Sequence, residues 1–227
     1  MSATSPSSEP LCVTLCQGIN HSNIKMKLNK LEFTVMNNPI RRYVQDKYEV
    51  RMLRDMSSIK NIDIALEIGC GNGNGTRLIK KNFIPKSIIA IDLDEKMIKS
   101  AKKRNIDKNI IFKVMDASKL DFPDSYFDAV FDFGVIHHIP NWRDCIKEVN
   151  RVLKPNGEVV LEDLSIESFT MGIGKLWKIC LAHPYDAMYN AKQFKEYLNE
   201  VGLDIKNYKE SNPLGLLRHF SLNAVKK

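Results

Sequence analysis

At 227 residues the chain can build one substantial core with an elaboration, and its balance of 44% hydrophobic to 27% charged residues is that of a soluble globular protein. No apolar run approaches the roughly 20 residues of a membrane span, and the +7 formal charge is scattered over many segments, which excludes an integral membrane protein and speaks against specific nucleic-acid binding. Five cysteines, an odd number without a C-x-x-C pair, fit neither a disulfide framework nor a zinc site and indicate a reducing, cytoplasmic compartment.

Residues 1–26, "MSATSPSSEPLCVTLCQGIN" and its continuation, are rich in Ser and Pro and lack both the basic start and the apolar centre of a secretion signal. They read as a disordered leader, with Met26 as an alternative start. Residues 27–60 read as a helical cap that Pro39 interrupts, its second piece being the amphipathic "RRYVQDKYEVRMLRDM". From residue 61 the pattern changes. Short β-branched or apolar runs, "NIDIALEIGC", "KSIIAIDL", "NIIFKVMDA", "FDAVFDFGV" and "GEVVLEDL", alternate with helical or polar sequence, and two further strands lie near "LDIKNYKE" and "RHFSLNAVKK". This alternation predicts βαβ units on a parallel sheet with a closing pair.

Helix ends are legible too. Asp94 precedes "EKMIKSAKK" as an N-cap, and Met97, Ile98 and Ala101 form the apolar stripe of that lysine-rich helix. Asn141 stands where an N-cap is expected before "WRDCIKEVNRVL", which Pro155 and Gly157 end. Asn190 with Gln193 reads as a capping box, and Gly202 ends that helix. Between them residues 165–190 read as a lid-like insert, with Ile173, Leu176, Trp177, Cys180 and Leu181 on one face.

The stretch "ALEIGCGNGNGT" closes the first strand with an acid and a run of glycines. In an open parallel sheet the first strand-to-helix turn is a ligand cradle, and glycine there lets the main chain approach a ligand closely. The nicotinamide fingerprint G-x-G-x-x-G fails, because counting from Gly69 reaches Asn74 and counting from Gly71 reaches Thr76. No Lys-Ser or Lys-Thr follows the glycines, which removes a phosphate-binding Walker loop. Charge points the same way: Glu67 would repel a pyrophosphate but favour a cationic ligand.

At these residues the chain resembles the class I S-adenosylmethionine-dependent methyltransferases, and within them the type 11 group. "LEIGCGNGNG" matches the family's E/D-x-G-x-G-x-G motif, "IIAIDLDEKMI" its second strand and helix, "MDASKLDFPDSYFDAVFDFGVIHHI" its third and fourth strands, and "EVNRVLKPNGEVVLEDL" its fifth. The resemblance implies an α/β, Rossmann-like fold: a mostly parallel seven-stranded sheet, helices on both faces and an N-terminal helical cap, residues 61–227 forming the cofactor-binding domain. It implies that Gly69, Cys70, Gly71 and Gly73 back the methionine part of the cofactor, with Glu67 turned towards its amino group. Asp92 and Leu93 then hold the ribose side, Asp116 and Ala117 the adenine, and Phe133 and Gly134 border the methyl group, with main-chain carbonyls around Asp132 receiving the ammonium.

The product would be S-adenosylhomocysteine and the acceptor a small, lipophilic molecule. His138, and behind it His137, are the base candidates, since both follow the fourth strand and histidine titrates near neutrality. Tyr43, Tyr48, Trp177, His183 and Tyr185 are acceptor-pocket candidates. "DFGVIHH" stands where methyltransferases of nucleic-acid bases carry Asn/Asp-Pro-Pro-Tyr/Phe, and no H-E-x-x-H or comparable ligand pattern calls for a metal. Shallow membrane contact through the basic surface stays open. So do two rival readings, a nicotinamide-dependent reductase or epimerase and a cofactor-binding regulatory protein without chemistry.

Overall fold

Each central strand divides its side chains between two hydrophobic layers, one on either face of the sheet. In β1 (Ile64–Ile68) Leu66 and Ile68 enter one layer and Ala65 the other, and in β2 (Ser87–Asp92) Ile89 and Ile91 oppose Ile88 and Ala90 in the same way. β3 (Ile110–Val114), β4 (Phe127–Phe133) and β5 (Leu153–Asp163) run parallel to them, β7 (His219–Lys226) lies antiparallel against β5, and β6 (Leu203–Ser211), antiparallel to β7, forms the edge. The order is β3-β2-β1-β4-β5-β7-β6. The chain therefore winds outward from β1 and then returns to β4, so the switch point lies at the carboxyl ends of these two strands. The computed structural model describes residues 38–170, 174–180, 183–212 and 218–227; the expected leader, Met26 and the first part of the expected cap lie outside the described residues.

The helices are α1 (Pro39–Val44), a π turn (Gln45–Glu49), α2 (Val50–Met56), α3 (Asn74–Asn82), α4 (Glu95–Arg104), α5 (Trp142–Val152), α6 (Glu167–Thr170), α7 (Gly174–Cys180) and α8 (Ala191–Glu200). Trp142, Cys145, Ile146, Val149 and Val152 of α5 and Phe194 and Leu198 of α8 fill one layer. Val50 and Leu53 of α2, Leu78 and Ile79 of α3, and Ile98 and Ala101 of α4 fill the other. Pro39 opens α1, at a position where its missing N–H costs no helical bond. A buried acid anchors α2 to the sheet. Glu158 of β5 accepts from Ser57 Oγ at 2.6 Å, Ser58 N at 3.2 Å and Asn223 Nδ2 at 2.8 Å, and from Ser58 Oγ as well.

Two local expectations need correcting. Asn141 does occupy the N-cap of α5, but its side chain caps nothing and instead reaches Asp144 Oδ2 at 3.4 Å. The helix ends before Pro155 and Gly157 as expected, but β5 starts earlier than "GEVVLEDL" suggests, at Leu153 directly after α5, and takes both residues in. The register shifts between Phe127 and Ala129 to absorb the extra residues, and a side chain at Gly157 would lie 2.9 Å from Lys154 O and 3.0 Å from Asp128 O. Elsewhere the caps hold. Asp94 Oδ1 accepts from Lys96 N at 2.8 Å, and both bonds of the Asn190–Gln193 box are present, at 2.8 and 3.3 Å.

Candidate active site

Past Ile68 the main chain turns into α3 through three glycines in the left-handed region, Gly69 (φ 64°), Gly71 (φ 50°) and Gly73 (φ 83°). They differ in what surrounds them. A Cβ on Gly69 would lie 2.3 Å from a methyl of Val135, and one on Gly73 would lie 2.3 Å from Asn105 Nδ2. At Gly71 nothing among the described residues lies within 4 Å, so this glycine alone of the three faces open space between them. Cys70 is buried between them, its thiol pushed up by burial and held inert.

Acids ring this opening because each neighbouring strand ends in one. Asp92, closing β2, accepts from Gly71 N and from Asp94 N, both at 2.8 Å, so it tethers the glycine turn while each oxygen keeps a further lone pair. Glu67 of β1 is 1% exposed and lies beneath the start of α3, where Thr76 Oγ1 donates to it. A side chain on Gly75 would come within 2.1 Å of its Oε1. Burial, reinforced by the charge of Asp92 and opposed by Thr76, pushes the Glu67 pKa up to about 8. The simple picture of a standing negative charge at Glu67 is thereby corrected: alone, the carboxyl keeps its proton at neutral pH, and a cation would drive the proton off.

The second half of the site lies beyond β4 and β5. Asp132 is buried, and its Oδ1 accepts from Val135 N at 3.0 Å, whereas its Oδ2 is buried with no hydrogen-bond partner among the described residues. Burial and then the neighbouring Asp163 raise its pKa well above the carboxylate range. Asp163, closing β5, sits on the same face and is fully buried. It takes His137 Nδ1 in a short bond, His137 N at 3.1 Å, Leu164 N at 2.7 Å and Tyr189 OH at 2.7 Å. Four groups from three residues thus fix one carboxylate and, through it, one imidazole. His137 stands in a 3-10 turn (Ile136–His138) whose approach is made by Gly134 at φ 79°. A Cβ at Gly134 would lie 3.9 Å from His137 Cε1.

His138 and His183 pack against His137, with ring centroids 4.1 and 5.1 Å from it and 4.3 Å from each other. Burial, then the charges of His137 and His183, hold the His138 pKa well below its usual value. Phe169 and Tyr185 flank His183, at 4.9 and 5.5 Å between centroids. The insert therefore delivers two of the predicted acceptor residues, His183 and Tyr185, to the histidines. Tyr43 and Tyr48 are 60% and 67% exposed; from their helix it is Gln45 that reaches the glycine turn, accepting from Asn74 Nδ2 at 2.6 Å. The side chain of Trp177, together with Ile173 and Leu181, lies outside the described residues. Leu93 is half exposed, and Phe133 is buried against the start of α3. Asp116 is exposed and closes its own turn, accepting from Ser118 N at 2.8 Å and Ser118 Oγ at 2.7 Å, with Ala117 partly buried beside it.

Asp163, Tyr189, Gln45 and Thr76 were absent from the candidates drawn from sequence. Asp163 alone carried a signal, an acid at the carboxyl end of a strand, as Glu67, Asp92 and Asp132 are. Tyr189 and Gln45 sit in irregular or capping segments whose docking no periodicity announces.

Comparison with known proteins agrees with this geometry. Residues 66–161 match the family model described as a methyltransferase domain. The chain is 31% identical over 126 residues to the 27-O-demethylrifamycin SV methyltransferase of Amycolatopsis mediterranei, covering 53% of this chain and 46% of that one. To the demethylmenaquinone methyltransferase of Lactobacillus johnsonii it is 33% identical over 136 residues, covering 57% and 55%. The chain thus spans about half the length of these curated relatives. Among solved structures, the [4+2]-cyclase SpnF superposes with a TM-score of 0.65 at 19% identity, over 80% of this chain and 81% of that one, a likeness of fold. With motif, topology and relatives in agreement, residues 66–161 match a methyltransferase domain, as the resemblance in sequence implies.

Proposed function

We propose that the protein transfers a methyl group from S-adenosylmethionine to a small lipophilic acceptor in the cytoplasm. The observation that carries this reading is the space over Gly71, where no described residue comes within 4 Å of an added Cβ, beside the Asp92 carboxylate that accepts from Gly71 N. Such a donor-poor, acid-rich cradle suits an ammonium and a sulfonium and opposes a pyrophosphate. The bound cofactor supplies a methyl carbon whose sulfonium leaving group is already activated. What remains for the chain is to align the acceptor, exclude water and accept any proton the acceptor sheds, none of which calls for a metal.

Gly71 and Asp92 hold the cofactor's body, with Asp92 offering its spare lone pairs to hydroxyls. Asp116 and Ala117 border the adenine end, Phe133 and Gly134 the methyl end. His137 is the favoured base, ahead of His138. Its Nδ1 is committed to Asp163, which leaves Nε2 as the nitrogen able to take a proton, and Asp163 stabilises the imidazolium that forms. Among the described residues no carboxylate is bonded to the His138 ring, and its lowered pKa makes it the weaker base.

The described residues of the insert serve as a lid over the acceptor, a reading supported by His183 packing against His137 and His138, with Tyr185 stacked on His183. The named acceptors of relatives, a demethylrifamycin and a demethylmenaquinone, support a lipophilic substrate class. Among the described residues no helix is long and apolar enough to cross a membrane; Leu176, 64% exposed between exposed Lys175 and Lys178, suits shallow contact with an anionic surface. Calorimetry with S-adenosylhomocysteine and NAD tests the cradle: uptake of the first alone is expected, and uptake of NAD alone overturns the proposal. Incubating cell extracts with deuteromethyl cofactor and the protein, followed by mass spectrometry, then identifies the acceptor. Cofactor uptake with no labelled product from any extract favours the binding-only alternative.

A further inference from the structure

The cluster of His137, His138 and His183 places one ring nitrogen from each residue within 4.8 Å of the other two. Nothing in the methyl transfer requires three imidazoles: one, oriented by Asp163, suffices as a base. Sequence patterning misses the cluster because His183 lies 45 residues beyond His138, on the insert after β5. From the convergence of these rings beside Gly134 we infer that His137, His138 and His183 form a three-nitrogen site for a divalent late first-row metal ion, Zn²⁺ or an ion of similar preference, with its remaining position open to an oxygen of the acceptor.

Three features support the site. The donor set is chemically suited, since three neutral imidazoles with an open fourth position are a common catalytic ligand set for Zn²⁺. His137 carries the outer partner that such ligands use: its Nδ1 is bound to Asp163, so Nε2 is the nitrogen left for an ion, and Asp163 is itself locked by Tyr189 OH at 2.7 Å and His137 N at 3.1 Å. The supports are also asymmetric. His137 and His138 come from a turn seated on β4, while His183 is set by rings of the insert, Phe169 at 4.9 Å and Tyr185 at 5.5 Å between centroids. An ion would therefore tie the insert to the sheet at the mouth of the cleft.

Tetrahedral ligation at about 2.0 to 2.1 Å requires ligand nitrogens about 3.3 to 3.4 Å apart. The 4.8 Å limit of the present cluster means that the widest pair must close by up to about 1.5 Å, a displacement within reach of ring rotation. A ring nitrogen that ligates an ion cannot also accept a proton, so an occupied site would move the base role proposed for His137 Nε2 to another group, while methyl transfer itself does not depend on the site. Metal uptake is read with neither cofactor nor acceptor present, so failure of either idea leaves the other standing.

The test uses the full chain, stripped with a chelator and titrated with Co²⁺, whose visible absorption reports coordination number and ligand type, and with Zn²⁺ in competition. One equivalent bound with the intense absorption of a four-coordinate nitrogen site is expected. His183→Gln and, separately, His138→Gln should weaken Co²⁺ binding by at least about tenfold, since even loss of an outer partner of a metal ligand costs about 10- to 100-fold. Circular dichroism and melting temperature of both variants establish that they fold. Wild-type protein that binds Co²⁺ no more tightly than folded His183→Gln, or binds it with a thiolate signature that survives both substitutions, overturns the inference and leaves the cluster as a stack of aromatic rings.

Discussion

The two halves of the cleft are built by opposite means. Around Gly71 the site is made of main chain and of acids that end adjacent strands, and its parts lie within residues 67–92. Around His137 it is made of side chains drawn from β4, β5, the following turn and the distant insert. In the first half each carboxylate meets backbone amides or one nearby hydroxyl, as Asp92 does with Gly71 and Asp94 and Glu67 with Thr76. In the second, one carboxylate, Asp163, gathers an imidazole, a phenol and two amides. A ligand shared by many enzymes can be held by local backbone geometry, whereas an acceptor peculiar to one enzyme is met by groups that the tertiary fold assembles.

The sharpest way to break this contrast is at the glycines. Gly71→Val should abolish cofactor uptake in calorimetry while the protein still folds, because the added side chain enters open space and the left-handed backbone costs only about 1 to 2 kcal/mol. Gly69→Val, whose Cβ would strike Val135, should instead lower the melting temperature severely. Normal uptake by Gly71→Val would place the cofactor elsewhere.

A second lesion sharpens the other half. Asp163→Asn removes the acceptor that fixes the His137 tautomer and stabilises its charged form, so turnover with a hydroxyl acceptor should fall by about 10² to 10⁴. Cofactor affinity should hardly move. The split between turnover and binding separates a positioning role from general damage.

The smallest effect concerns the linkage of protons to the first half. With its folded pKa raised from 4.5 to about 8, Glu67 contributes stability that is complete below pH 4.5 and is lost as pH rises towards 8. The cofactor-free protein should therefore melt lower at pH 8.5 than at pH 6, and Glu67→Gln should flatten that difference. The same buried proton predicts that a cationic ligand binds more tightly as pH rises to about 8, with proton release measurable by calorimetry in buffers of different ionisation enthalpy. A pH-independent affinity would mean that Glu67 does not face the charge of the ligand.

Much of the architecture was legible in short windows. Alternation along β1, β2 and β4, the stripe of α5 and the box at Asn190 are repeated or adjacent patterns, and the structure reproduces them. The start of β5 was misjudged because Pro155 and Gly157 usually end a helix in a loop, while here pairing with β4 recruits them into a bulged strand. Asn141 illustrates a similar override, its side chain drawn to Asp144 instead of the helix amides.

What followed from residue order alone was therefore the class of fold and the half of the site proposed to hold a cationic nucleoside: the groups concerned are near neighbours in the chain, and their spacing is set by strand and turn geometry. Folding decided the protonation of Glu67, through burial; the choice of His137 over His138 as the oriented imidazole, through Asp163; and the meeting of His183 with both, through packing of the insert. Burial and long-range contact are properties of the packed molecule, and no local window contains them.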